Sequence, residues 1–233
     1  MPKRDSLPSL AAEIAACSHC PRLVAWRKEA GENPPARFRG EEYWARPVPG
    51  FGDPQARLLL VGLAPAAHGG NRTGRVFTGD RSGDWLFRAL HKAGFANQPT
   101  SMHREDGLKL TDAYVTAACR CAPPDNKPLP EELASCRPFL LREIELLTNL
   151  RVILGLGKIG FDTAFDALRA LGKTGFKSRP KFAHGAEVAV SESITLLGTF
   201  HPSQQNTFTG KLTEPMLDAV FARARELLSL LVE

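Results

Sequence analysis

Four short apolar runs partition the chain: Arg57–Val61 (RLLLV), Asp112–Ala118, Arg151–Leu154 and Ser193–Thr199. Runs of this length suit strands buried on both faces. Helical patterns lie between and around them, over residues 8–16, Pro21 to Gly31, Asp84–Lys92, Pro130–Leu147 and Lys158–Leu171. Thr213 caps a last helix, whose Leu217, Val220, Phe221, Ala224, Leu228 and Leu231 recur at helical spacing as a core stripe. Strands alternating with helices imply a parallel sheet covered on both sides. The expected fold is therefore α/β: a three-layer α/β/α sandwich around a central, mainly parallel four-stranded sheet, in a single domain over 1–233. Ligands of such sheets bind beyond the carboxyl ends of the strands. That places the loops 62–82, 119–130 and 200–212 where chemistry is expected.

One motif points elsewhere. Gly155-Leu-Gly157-Lys-Ile-Gly160 has the G-x-G-x-x-G spacing of a dinucleotide fingerprint and lies between a strand and a helix. A dinucleotide site also needs an acidic residue at the end of the next strand. Residues 172–186 are basic and loop-like, with no acid before Glu187. The glycines are read instead as tight strand-to-helix packing.

Composition excludes several classes. With 43% hydrophobic and 24% charged residues, the chain is not wholly disordered, collagen-like or a coiled coil. Its 30 Lys+Arg against 25 Asp+Glu give a net +5, a mild excess that suits an anionic partner such as nucleic acid. The longest apolar stretch, Leu58 to Ala67, is 10 residues and holds Gly62 and Pro65, too short to span a bilayer. The N-terminal segment lacks the long apolar run of a signal peptide. A cytoplasmic, membrane-free setting is expected, where thiols stay reduced.

Five cysteines then need a reason other than disulfides. Cys17 and Cys20 form a C-x-x-C, and Cys121 and Cys136 lie 15 apart across a Pro-rich path. Two such pairs can close one four-thiolate site, which suits zinc and an iron–sulfur cluster equally. Five thiols for four ligands leave one spare. The first loop, from Gly62 to Asp80, and the last, from Thr199 to Gly210, are Gly-rich with basic or hydroxyl side chains. Such loops bring backbone N–H groups close to phosphates or a polarised carbonyl.

Three long segments carry a resemblance: GLAPAAHGGNRTGRVFTGD at 62–80, TAACRCAPPDNKPLPEE at 116–132 and HPSQQNTFTGKLT at 201–213. Together with the cysteine spacing, they resemble the family 5 (type-B) uracil-DNA glycosylases, the iron–sulfur members of that superfamily. The resemblance implies a DNA repair glycosylase acting on DNA that contains deaminated bases. It also implies a 4Fe-4S cluster held by Cys17, Cys20, Cys121 and Cys136, with Cys119 the spare thiol, in a chain expected to be a monomer. By the same resemblance Phe77 stacks on the flipped base, and Gly62, Leu63 and Ala64 line its pocket. His201 polarises the base carbonyl, and Asn126 orients base or water. Asp80 is the candidate general base, with a helix N-cap role as the alternative. Arg72, Arg75, Ser203, Asn206 and Phe208 are expected to meet DNA. Ala117 stands where related enzymes carry an Asn that reads the uracil edge, which implies a permissive pocket that also takes hypoxanthine. The competing class is a non-catalytic, zinc- or cluster-stabilised nucleic-acid-binding module.

Overall fold

The computed structural model describes residues 5–229; Leu231 of the expected C-terminal stripe lies outside them. Six strands form one sheet: β1 (Phe51–Gly52), β2 (Leu58–Gly62), β3 (Ala113–Ala117), β4 (Val152–Leu156), β5 (Glu187–Ala189) and β6 (Thr195–Thr199). The helices are α1 (Leu7–Ala16), α2 (Pro21–Glu32), α3 (Gly70–Thr73), α4 (Arg81–Lys92), α5 (Pro130–Leu146), α6 (Gly157–Ala170), α7 (Gln204–Phe208) and α8 (Glu214–Ser229). Strand order is β1-β3-β2-β4-β6-β5. The four central strands are parallel and are the four apolar runs; β1 and β5 add antiparallel edges. The expected four-stranded sheet is thus corrected to six strands. The edges are two and three residues long, and β5 (Glu-Val-Ala) is largely exposed, so neither carries the apolar run that marks a buried strand.

The sandwich follows from the two-residue period of a strand. Leu58, Leu60, Val115 and Leu154 face one core with Leu86, Phe87 and Leu90 of α4 and Leu217, Val220 and Phe221 of α8. Leu59, Val61, Ile153 and Leu196 face the other, with Leu140 and Ile144 of α5 and Phe161 and Phe165 of α6. Outside α5, α1 buries Leu10 and Ile14 against Phe139. Apolar packing therefore holds the N-terminal segment to the domain, beside any link through its cysteines. No helix among the described residues is long and apolar enough to cross a membrane.

The G-x-G-x-x-G glycines pack as expected. A Cβ on Gly155 would come within 2.3 Å of the Phe161 backbone, and one on Gly160 within 2.1 Å of the Val61 carbonyl. Strand and helix meet there with no room for a side chain.

A buried ion pair braces the strand that leads to the cysteines. Arg120 donates through Nη2 to Glu143 Oε2 at 2.6 Å and through Nη1 to Glu143 Oε1 at 3.0 Å, and both side chains are 1% exposed. Thr116 joins the pair from β3. Removing one partner leaves an uncompensated charge in a dry interior. Glu143→Ala is expected to lower unfolding free energy by about 3–5 kcal/mol, read by denaturant titration.

Candidate active site

The parallel strands end on one side of the sheet, and residues of the first and last loops meet there. Gly62 and Ala117 are register partners at the ends of β2 and β3. A Cβ on Gly62 would lie 2.7 Å from Cζ of Phe77, so the ring rests directly on the Gly62 backbone. Phe77 reaches this place at φ 53°, a region that bulky side chains rarely occupy, and it is held there by the loop around it. Across from it stands His201, with ring centroids 5.7 Å apart and planes tilted by 34°. His201 in turn sits over Gly157, at φ 82°, where a Cβ would be 3.1 Å from the His201 Cβ. Thus two glycines, at the ends of β2 and β4, make room for the two rings.

Burial alone lowers the His201 pKa to about 4. Its imidazole is therefore neutral at physiological pH and offers one N–H donor. Asn206 fixes the loop that carries it, donating from Nδ2 to the His201 carbonyl at 2.9 Å. Ser203 caps α7 by accepting from the Asn206 N–H at 3.4 Å. Both residues, expected at the DNA surface, are partly exposed and also brace this loop. Phe208 stands out at the end of α7 with 72% of its surface exposed. Directly after β2, the N–H groups of Leu63 and Ala64 have no protein acceptor among the described residues.

Asp80 is the N-cap of α4 and accepts from the Gly83 N–H at 3.0 Å. The helix therefore starts three residues before the expected Asp84, because a capping carboxylate satisfies its first turn. Burial pushes the Asp80 carboxyl up to about 6, above its ordinary 3.8, against the pull of the Gly83 and Ser82 amides. A carboxylate that exchanges its proton near neutrality is suited to general-base work. Capping and catalysis remain compatible, since one oxygen caps and the other lies against Gly69. Asn126 is exposed, at φ 56° on the Pro-rich loop after β3, and its side chain makes no hydrogen bond among the described residues.

The two arginines expected on DNA phosphates turn inward. Arg75 is buried and pairs with Asp106 at 2.7 Å, while donating to Ser101 and Thr78. Arg72 pairs with Glu41 at 2.6 Å, donates to the His68 and Gly79 carbonyls and lies 4.1 Å over the Phe38 ring. Both guanidinium groups shape the first loop from within. Proximity to Phe77 in sequence suggested a phosphate contact, but their acids, Glu41 and Asp106, lie about thirty residues away and gave no local signal. His184 is a further residue that the sequence did not single out. Its Nδ1 accepts from the Phe200 N–H at 3.3 Å and its ring lies 5.1 Å from that of Phe200, so it backs the strand end that carries His201.

Cys17, Cys20, Cys121 and Cys136 line one small cavity beside Arg27 and Arg120. All five thiols are free. Arg27 Nη1 donates to Cys121 Sγ at 3.1 Å, and the Arg120 backbone N–H to Cys136 Sγ at 3.5 Å. Cys119 is fully buried outside the cavity and donates to the Cys121 carbonyl at 3.4 Å; its contact with Cys136 and its burial hold its pKa well above the ordinary thiol range. Among the described residues, no three His, Cys, Asp or Glu side chains are grouped to hold a single metal ion. Four sulfurs around one cavity, two of them accepting from buried donors that offset thiolate charge, nonetheless form a donor set that fits a four-thiolate group.

The fold and the site define an α/β protein that sets an aromatic ring and a neutral imidazole side by side at the carboxyl ends of its parallel strands. Over residues 49–225 the chain matches the family model described as the uracil DNA glycosylase superfamily, and it belongs to that family. It is 51% identical over 219 residues to the type-5 uracil-DNA glycosylase of Thermus thermophilus, covering 93% of this chain and 96% of that one. Identity to the type-5 uracil-DNA glycosylase of Mycobacterium leprae is 49% over 223 residues, covering 95% and 96%. A type-4 uracil-DNA glycosylase of Thermotoga maritima is 32% identical over 157 residues, covering 67% of this chain and 69% of that one.

Proposed function

We propose that this protein is a type-5 uracil-DNA glycosylase that hydrolyses the N-glycosidic bond of uracil in DNA and leaves an abasic site. The observation that carries the reading is the Phe77 ring seated on Gly62 and facing His201, in a chain of this superfamily. A base stacked in a duplex is out of reach, so the nucleotide flips into the pocket. Phe77 supplies a stacking platform worth about 1–3 kcal/mol, against an unstacking cost of a few kcal/mol. As the bond breaks, the sugar becomes oxocarbenium-like and the base takes up the electron pair as an anion. The neutral His201 N–H and the free Leu63 and Ala64 amides are donors for the base oxygen where that charge collects. Asp80, ionised above about pH 6, takes the proton of the water that adds to the sugar carbon. Asn126, exposed on the loop after β3, orients base or water once DNA is bound.

The four cavity-lining cysteines hold a 4Fe-4S cluster, which when bound supplies a cross-link between the start of α2 and the 121–136 segment and takes no part in the excision step. Support comes from the four sulfurs on one cavity, the exclusion of Cys119 from it and the donors on Cys121 and Cys136. The setting is cytoplasmic and the protein acts as a monomer.

The test is incubation with duplex DNA containing a single uracil, followed by alkali. Strand cleavage at the uracil is expected, and an intact strand would favour a non-catalytic nucleic-acid-binding module. Ala117 presents only a methyl group beside Gly62, so nothing there reads the uracil edge. Excision of hypoxanthine from paired duplex is therefore expected too, and strict uracil specificity would contradict the permissive pocket.

A further inference from the structure

A continuous set of contacts joins the cysteine-lined cavity to Asp80. Its first member is Arg27 on α2, which donates to Cys121 Sγ at 3.1 Å and, through Nη2, to the Cys17 carbonyl at 3.3 Å. The second is Asn71 on α3, whose Nδ2 donates to the main-chain carbonyl of Arg27 at 3.0 Å. The third is α3 with the glycine before it. Gly69 lies so close to Asp80 that a Cβ there would be 2.1 Å from Asp80 Oδ2. Arg72 Nη2 donates to the Gly79 carbonyl at 3.1 Å and Thr73 Oγ1 to that of Thr78 at 3.4 Å. The turn carrying Asp80 is therefore gripped from α3, and α3 is tied to α2 through Asn71.

Asn71 is itself out of place as mere packing. It is 0% exposed, and its Oδ1 has no partner among the described residues. A buried acceptor left unpaired carries a desolvation cost that an alanine at the same place would avoid. The amide is accounted for by what its other end holds.

We propose that Asn71 is a positioning residue, which ties α3 to α2 and so holds Gly69 against Asp80 and couples the cysteine site to the excision pocket. This rests on Asp80 as the base that activates water. The groups facing Asp80 are the Gly83 and Ser82 amides, Asp84, Arg72 and the Gly69 backbone; burial dominates and sets its pKa near 6. If α3 loosens, water enters and Asp80 relaxes toward the ordinary carboxylate range.

The test uses the full chain with its metal as purified. Asn71→Ala should keep the parent's visible absorbance and nearly its DNA affinity, while single-turnover excision slows on the order of 10- to 100-fold. The acid limb of its pH–rate profile should move to lower pH, which a general loss of stability would not produce. In an Asp80→Asn background, Asn71→Ala should add little, since both act through one carboxylate. A parent-like rate and acid limb in folded Asn71→Ala, or full additivity in the double variant, would overturn the proposal. Asn71→Leu keeps about the size, lacks the donor and should behave alike; insolubility of both variants would place Asn71 in the structural core and also overturn it. Parent-like excision by Asp80→Asn would withdraw the base assignment instead, and is read separately.

Discussion

His201→Ala is expected to bind uracil-containing duplex nearly as well as the parent and to excise the base about 10²–10³ more slowly under single-turnover conditions. The N–H it removes helps most when the base oxygen has become negative, so turnover falls while ground-state affinity holds. The sign of the pH dependence separates this role from acid catalysis. Burial keeps the His201 pKa near 4, so the ring is neutral from about pH 5 upward and contributes no inflection between pH 5 and 8. An acid limb near pH 6 belongs to Asp80, which is active when ionised and loses its role as pH falls through that value. Asp80→Asn should abolish the limb, and His201→Ala should keep it. Parent-like single-turnover rates in folded His201→Ala would remove this histidine from the catalytic residues.

The second large effect concerns the cysteines. Cys17→Ser, Cys20→Ser, Cys121→Ser and Cys136→Ser should each cost the metal and most of the soluble yield, whereas Cys119→Ser should cost neither. All four line the cavity, and Cys119 lies outside it. Metal binding of this kind is coupled to folding, at roughly 10 kcal/mol or more in small structural zinc sites. The α1–α5 contact through Leu10, Ile14 and Phe139 should leave the remaining sheet partly supported when the metal is lost. The measurement is iron and sulfide content with the visible spectrum. A colourless, zinc-loaded protein, or metal loss confined to Cys119→Ser, would overturn the ligand set.

The amino-acid sequence by itself determined the central sheet. Its four parallel strands are continuous apolar runs because both faces are buried, and burial writes itself into composition. It likewise determined the helices with strong periodicity, and the packing role of Gly155 and Gly160, since the lack of an acid over residues 172–186 is visible in one dimension. The pocket was legible in part. Phe77 and His201 stood out as an aromatic and a histidine in polar loops at strand ends, although nothing local placed the two rings 5.7 Å apart.

Tertiary structure alone decided the rest. Edge strands of two and three residues have one neighbour each, and pairing with β3 and β6 forms them rather than their own residues. Arg72 and Arg75 read as phosphate ligands because a cation's partner is invisible until the chain brings it near; the fold delivers Glu41 and Asp106 and turns both side chains inward. The same holds for the pKa values. Asp80 and His201 are ordinary residues in the sequence, and only the removal of water around them makes one a carboxyl near pH 6 and the other a neutral imidazole. Composition is a property of the chain, but desolvation and pairing are properties of places, and those places exist only once distant segments have met.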